Sequence, residues 1–322
     1  VQSERSVIPT AEELGFDPQE LRRKYDAERD KRLRGDGNNQ YREVVGDLEQ
    51  YNDDPYIDEP IVRGSVNEDI EVAIIGGGFG GLLMGARLQE AGITNFRVIE
   101  KAGDFGGTWY WNRYPGAQCD IESYVYLPLL EEVGYIPKEK YSFRPEIFEH
   151  AQRVGKHFDL YSRAYFQTQV VDLRWNDDKS QWVIRSDRGD EIRAKYVVMS
   201  SGPLNRPKLP GIPGVESFKG HTFHTSRWDY DYTGGSSEGG LDKISDKRIA
   251  VIGTGATAIQ SVSHLGTGAK HLYVFQRTPS SIDERGNKPT DPKWAESLEP
   301  GWQAHRNHNF ASILAGEQPE ED

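Results

Sequence analysis

The sequence predicts an α/β protein with two Rossmann-like dinucleotide-binding domains in one chain, preceded by a helical and extended arm. Three observations predict it. The apolar run Ile70-Glu71-Val72-Ala73-Ile74-Ile75 meets the loop Gly76-Gly77-Gly78-Phe79-Gly80-Gly81. A helix-patterned segment and the strand-like Asn95-Phe96-Arg97-Val98-Ile99-Glu100 follow it. The same order returns as Lys247–Ile252, Gly253–Ala258 and His271–Phe275. Finally, 34 of the 322 residues are glycine, about a tenth against a usual ~7%, and many crowd those loops.

Composition removes other classes. Lys and Arg total 39 against 51 Asp and Glu, a net charge of −12, which disfavours generic binding to nucleic acid or to anionic membranes. Mean hydropathy is −0.72, and no apolar run approaches the roughly 18 residues of a membrane span. The opening VQSERSVIPT lacks a basic segment followed by an apolar one, so no secretory leader and a cytoplasmic location are expected. The single cysteine, Cys119, can form neither an internal disulfide nor a redox dithiol. The eight histidines lack paired-ligand spacing, and no metal is expected.

Residues 1–65 form the arm. Asp17-Pro18-Gln19-Glu20 reads as a capping box with proline in the first turn, and the spacing predicts a helix to about Arg34, supported by Glu20/Lys24 and ended by Gly35-Asp36-Gly37. Tyr41 to Gly64, with Pro55 and Pro60, is expected to wrap over the surface as a packing segment or a regulatory or partner-binding arm.

The first loop fits G-x-G-x-x-G through Gly76, Gly78 and Gly81. Its glycines permit the turn, the approach of a pyrophosphate and close helix packing, and the helix N-terminus offers N–H groups to the phosphates. Glu100 ends the second strand, where an acid binds ribose hydroxyls, so this site suits a 2′-hydroxyl cofactor such as FAD or NAD. The second loop has Ala258 in the third place. Phe275 is followed by Gln276-Arg277-Thr278, and an arginine there pairs with a 2′-phosphate, which suits NADP. The run TGGSSEGG, with Gly234, Gly235, Gly239 and Gly240, reads as a surface loop.

Two further segments carry a family resemblance. Gly106-Gly107-Thr108-Trp109-Tyr110-Trp111-Asn112-Arg113-Tyr114-Pro115-Gly116-Ala117-Gln118-Cys119-Asp120 is similar to the Gly-x-Trp…Tyr-Pro-Gly-x-x-x-Asp motif of Baeyer–Villiger monooxygenases. The segment from Phe218 to Asp229 resembles that family's F-x-G-x-x-x-H-x-x-x-W fingerprint through Phe218, Gly220, His224 and Trp228. Related amine and thioether monooxygenases carry Tyr where this chain has Trp228. The resemblance implies that Gly107, Thr108, Trp109, Tyr110 and Trp111 line the flavin with Asp120, Ile121 and Tyr126. It puts Gln118, Cys119 and Asp120 where flavin and nicotinamide meet. It assigns the NADP pyrophosphate to Thr254, Gly255, Ala256, Thr257, Ala258, Ile259 and Gln260, and the 2′-phosphate to Arg277 and Thr278. His224 is expected to position the interdomain link, whereas His221 has no motif role, and Val197–Pro203 resembles the exit from the FAD domain.

The resemblance also implies an activity. NADPH reduces FAD, and O2 then gives a C4a-peroxyflavin that converts a ketone to an ester or lactone. Asp120 would support a catalytic arginine that the family places beyond Asp322; neither Arg285 nor Arg306 has a context to replace it. The domains implied are 1–65 (arm), 66–208 (first part of the FAD domain), 209–281 (first part of the NADP domain) and 282–322, the start of a helical insertion in which Trp302–Leu314 looks helical, with the C-terminal part of the fold expected outside this chain. The acidic ending Gly316–Asp322 reads as a mobile loop. The partner expected is the remainder of the same protein or a complementary chain. Alternatives are an N- or S-oxygenating flavoenzyme and a shortened, non-catalytic flavoprotein acting as a binding module.

Overall fold

The computed structural model describes residues 10–317; the opening nine residues and the acidic 318–322 lie outside them. Thr10 and Glu13 form a true capping box around the helical turn Ala11–Leu14. Asp17 caps the next helix through the Gln19 N–H alone, and that helix runs Pro18–Asp30, short of the expected Arg34. None of its residues is buried, so local interactions alone set its length. Glu20 and Lys24 form no ion pair; the pairs that form lie at the helix's C-terminal end, Arg29 with Asp26 and Asp30, and Glu28 with Lys31 and Arg32.

The rest of the arm is stapled down. Strand β1 (Tyr41–Glu43) pairs antiparallel with Lys208–Pro210, and Val44, Leu48 and Tyr51 bury against Leu209. Farther along, Arg63 makes a two-pronged ion pair with the buried Asp190 at 2.6 and 2.7 Å.

Ile70, Val72, Ala73 and Ile74 are all buried, which places β2 (Asn67–Ile75) in the middle of a sheet covered on both faces. It lies parallel to β3 (Phe96–Ile99), and β3 to β4 (Ala164–Tyr165). A meander of β5 (Val170–Asn176), β6 (Gln181–Ser186) and β7 (Glu191–Met199), of which the sequence marks only the end of β7 from Val197, completes the order β4-β3-β2-β7-β6-β5. Only β2–β7 is parallel within that half; β5–β6 and β6–β7 are antiparallel. The helices Phe79–Glu90 and Arg144–His157 bring Leu82, Ala86, Ala151 and Val154 onto Val72, Ile74, Phe96 and Val98. Burying each large side chain of this kind contributes about 1.5–3 kcal/mol.

After β8 (Lys208–Pro210), the second dinucleotide unit is a single βαβ: β9 (Arg248–Ile252), the helix Ala256–Gly268 and the parallel β10 (His271–Phe275). Among the described residues its sheet has two strands. Ile252 and Phe275 on these strands are each 58% exposed. The TGGSSEGG run is not plain linker either. Gly234 and Gly239 are buried, and the Gly116 N–H donates to the Ser237 carbonyl at 3.0 Å. The last helix, Trp302–Leu314, docks on the first unit through buried Gln303, which bonds Leu127 and Leu130 of the backbone. Among the described residues no helix is long and apolar enough to cross a membrane.

Candidate functional site

The first glycine loop turns out of β2 with Gly76 at φ +110°, where a Cβ would lie 2.4 Å from the Ser200 carbonyl oxygen of the neighbouring strand end. The helix that follows starts at Phe79 with Gly78 as its N-cap and no side-chain cap, leaving first-turn N–H groups for an anion. Gly107 backs onto this loop so closely that a Cβ there would meet the Gly78 Cα at 2.7 Å. The two glycine segments thus make a cradle that a side chain would fill.

A cavity of about 430 Å³ opens from that cradle. Gly76, Gly78, Glu100, Gly107, Thr108, Trp109, Trp111 and Tyr126 line it. Trp109 donates its indole N–H to the Tyr126 hydroxyl at 2.8 Å, fixing both rings on one wall. Glu100 is buried, and burial pushes its carboxyl above the usual carboxylate range against the pull of two backbone donors. Those donors are the N–H groups of Gly77 at 2.5 Å and Ala102 at 2.8 Å. A carboxylate has about four acceptor positions, so two remain for hydroxyls in the cavity.

Lys101 and Arg206 also line the cavity and were missed by the sequence reading. Burial first, then Arg227, lowers the Lys101 ammonium to about 8. It is anchored to Asn205 at 3.0 and 3.1 Å. Its adjacency to Glu100 was the available signal.

Several expected residues lie elsewhere. The Tyr110 ring is buried beneath the cavity wall, and its hydroxyl donates to Asp54 of the arm at 2.8 Å. It packs the wall from behind because its neighbours Trp109 and Trp111 take the cavity side of the short helix Thr108–Trp111. Gln118, Cys119, Asp120 and Ile121 are also outside the cavity lining. They lie toward the second unit, where Gln260 Nε2 donates to the Gln118 carbonyl at 2.9 Å and Gln260 Oε1 accepts from the Tyr114 hydroxyl at 2.9 Å. Gly116, at φ +79°, comes so close that a Cβ would sit 2.7 Å from the Gln260 carbonyl oxygen. The Tyr-Pro-Gly segment is therefore the hinge piece between the two glycine units.

Asp120 has a partner in this chain. Arg285 donates to its carboxylate at 2.5 Å, to Gln118 Oε1 at 2.5 Å and to the Cys119 carbonyl at 3.2 Å. Arg285 was set aside on sequence context, and the fold brings it to the expected anion. Arg306 instead pairs with Glu122. Cys119 is buried, and burial raises its thiol above the ordinary value, so it is a poor nucleophile.

The second loop is more open. Gly255 caps the helix Ala256–Gly268 without a side chain, Ala258 is buried in its first turn, and there is open space around Gly253 and Gly255. Thr254 ties the loop to the segment after β10, its hydroxyl donating to the Thr278 carbonyl at 3.1 Å. Thr257 and Ile259 lie in the first helical turns, and Arg277 is exposed at the loop's rim.

The fingerprint segment is structural in its contacts. The Trp228 indole is buried and donates to Thr233 Oγ1 at 3.0 Å, while its backbone N–H donates to the Tyr56 hydroxyl at 2.8 Å. Phe218 is 62% exposed and its ring covers Gly220. His224 caps the turn Thr225–Arg227, with Nδ1 accepting from the Ser226 N–H at 3.2 Å. Burial, then Arg227, lowers its imidazole to about 4, which keeps that nitrogen an acceptor. His221 bonds Asp229 at 2.7 Å. Among the described residues no group of three or more His, Cys, Asp or Glu could hold a metal ion.

A family profile described as pyridine nucleotide-disulphide oxidoreductase matches residues 73–313. The chain is 56% identical over 315 residues to Baeyer-Villiger monooxygenase ATR8 of Stachybotrys chlorohalonatus, covering 98% of this chain and 50% of that protein. Its fold matches a polycyclic ketone monooxygenase from Thermothelomyces thermophila with a TM-score of 0.88 and 43% identity, over 94% of this chain and 52% of the other. It also matches OTEMO, solved in complex with FAD and NADP, with a TM-score of 0.64 and 30% identity, over 76% of this chain and 44% of that one. The chain spans about half the length of the curated relatives it matches.

Proposed function

The chain belongs to the Baeyer–Villiger monooxygenase family, within the pyridine nucleotide-disulphide oxidoreductases, and from that premise we propose that it carries the cofactor-binding machinery of a ketone-oxidising flavin monooxygenase. The reaction proposed takes ketone, O2, NADPH and a proton to an ester or lactone, NADP⁺ and water, one oxygen atom of O2 entering the product and the other leaving as water. Dithiol chemistry, which the broader family's name describes, is unavailable to a chain with one cysteine. The observation that carries the reading is the cavity of about 430 Å³ between the first glycine loop and the Thr108–Trp111 wall; outside its lining, the Gln260–Gln118 hydrogen bond ties the segment after that wall to the helix of the second loop.

The residues fit FAD at the first loop. The uncapped helix start at Phe79 meets the pyrophosphate, Glu100 accepts from ribose hydroxyls, and Lys101 with Arg206 adds positive charge. Thr108, Trp109, Trp111 and Tyr126 form the wall against which the ring system is held, while Tyr110 and Asp54 lock that wall from behind. At the second loop, Thr254 to Gln260 hold the NADP pyrophosphate, with Arg277 and Thr278 at the 2′-phosphate. The two cofactors, when bound, supply hydride transfer and oxygen activation. Asp120 holds an arginine at the junction of the two units. In this chain that arginine is Arg285; in the whole protein, the catalytic arginine expected beyond Asp322 shares or takes over the same carboxylate. The contribution of this half is to bind, orient and screen the cofactors from water.

The test uses the full-length protein loaded with FAD. A cyclic ketone such as cyclohexanone or a fused-ring ketone is expected to draw NADPH and O2 consumption and to give a product heavier by one oxygen atom. Oxygenation of amines or thioethers with ketones untouched would move the protein to the N- or S-oxygenating class. No reduction of the flavin by NADPH would leave a binding module.

A further inference from the structure

Arg277 stands at the rim of the second loop, and what touches it comes from the opposite end of the chain. Arg277 Nη1 donates to Gln40 Oε1, and Nη2 lies 3.4 Å from the Tyr41 hydroxyl. Arg32 Nε donates to the Arg277 carbonyl at 3.1 Å, bracing the backbone that carries the Arg277 side chain. Glu28 steadies the Arg32 guanidinium through its backbone carbonyl at 2.7 Å and its carboxylate at 3.1 Å.

These contacts do not belong to a loosely laid tail. Tyr41, Arg42 and Glu43 are in register with Pro210, Leu209 and Lys208, and the Gly211 N–H donates to the Gln40 carbonyl at 2.9 Å. A Cβ on Gly211 would lie 2.5 Å from that carbonyl oxygen, so the backbones are pressed together. Arg42 pairs with Glu216 on the linker. The arm is thus held beside the rim by backbone pairing, whatever occupies the loop.

We propose that arm residues Arg32, Gln40 and Tyr41 form the outer wall of the second loop's 2′-phosphate site and help the protein choose 2′-phosphorylated over unphosphorylated dinucleotides. The inference rests on reading Arg277 as the 2′-phosphate residue. Gln40 is the neutral placeholder: its amide oxygen holds one edge of the Arg277 guanidinium until a phosphate takes that edge. A neutral acceptor yields to a dianion because charge-assisted bonds to arginine are about twice as strong as neutral ones. A glutamate at position 40 would not yield, since it would form a competing ion pair. Arg32, itself held by Glu28, fixes the Arg277 backbone, and the Tyr41 hydroxyl stands beside the Arg277 guanidinium as a donor for the same phosphate.

The test measures dissociation constants of NADP⁺, NAD⁺ and 2′,5′-ADP by calorimetry on the FAD-loaded full-length protein, with a thermal melt of each variant. R277A tests the underlying reading; Q40E and R32A test the arm. Each of Q40E and R32A is expected to weaken NADP⁺ and 2′,5′-ADP by about tenfold while leaving NAD⁺ and the melt unchanged. If R277A weakens NADP⁺ but Q40E and R32A do not, or if they weaken NAD⁺ equally, the arm has no role in phosphate recognition and the inference is overturned while the site stands. If R277A itself leaves NADP⁺ binding unchanged, the underlying reading fails and the inference falls with it.

Discussion

At the scale of single residues, buried imidazoles give the clearest solution signature. His150 is fully buried, with Nε2 donating to the Pro128 carbonyl at 2.6 Å, and burial holds it at about 4; His224 is held at about 4 by burial and Arg227. Both pKa values lie below the unfolded imidazole value near 6.5. The unfolded chain therefore takes up protons first as pH falls. Stability is whole above about pH 6.5 and declines toward pH 4, by up to roughly 3 kcal/mol for each histidine. Urea midpoints measured between pH 7.5 and 5 should fall, and His150→Gln should flatten the slope; an unchanged slope in the variant would contradict the assignment. Single residues were also where the sequence was most and least informative. Gly76 and Glu100 were legible because a glycine loop and the end of the next strand are adjacent parts of one βαβ unit. The turning of Tyr110 toward Asp54, and the meeting of Arg285 with Asp120, depend on segments far apart in sequence, and no local pattern encodes them.

At the scale of elements, strands with near-continuous β-branched runs were legible, and the arm's attachments were not. β2, β3, β9 and β10 all lie where the apolar runs predicted them, whereas β5 mixes exposed and half-buried residues irregularly and β6 buries only Ile184 and Ser186, a weaker pattern. The arm's anchor, Arg63 on Asp190, joins positions that only the fold brings together. Asp190 also accepts from the Val66 N–H at 2.7 Å and the Ser186 hydroxyl at 2.6 Å. Arg63 is the main cause holding its carboxyl well below the usual range, even against burial. Removing that partner leaves a buried carboxylate without its cation, so Arg63→Ala should cost about 3 kcal/mol. The sign of the pH effect follows from the depressed pKa. The pair's stabilisation is present above the ordinary carboxylate range and is lost as pH falls through and below it. The variant should therefore melt lower at neutral pH, with a difference from wild type that shrinks on acidification. An equal melt at pH 7 would show that the arm is not held there.

At the scale of the whole molecule, two glycine units are joined through one short segment. Tyr114, Gly116 and Gln118 meet Gln260 from the second unit's helix, and Trp228 packs with Tyr114 and Leu265 under that joint. The existence of two units was legible from the repeated strand–glycine–helix order, and in this chain the second is the smaller. Its two strands leave Ile252 and Phe275 exposed, in a chain spanning half the length of its relatives. The glycines that first distinguished the composition divide the same way: those of the first loop back onto Gly107 and Ser200, while those of the second face open space. The central claim is that the first cradle holds FAD. It is tested most directly by the stoichiometry and affinity of FAD for the full-length protein and its Gly107→Ala variant. A Cβ at 2.7 Å from Gly78, added to a left-handed backbone, is expected to cost about 1–3 kcal/mol at the cradle. Wild type should bind one FAD per chain and the variant should bind it at least about tenfold more weakly, with NADP⁺ affinity retained; equal FAD affinity in both, in a folded variant, would contradict the account.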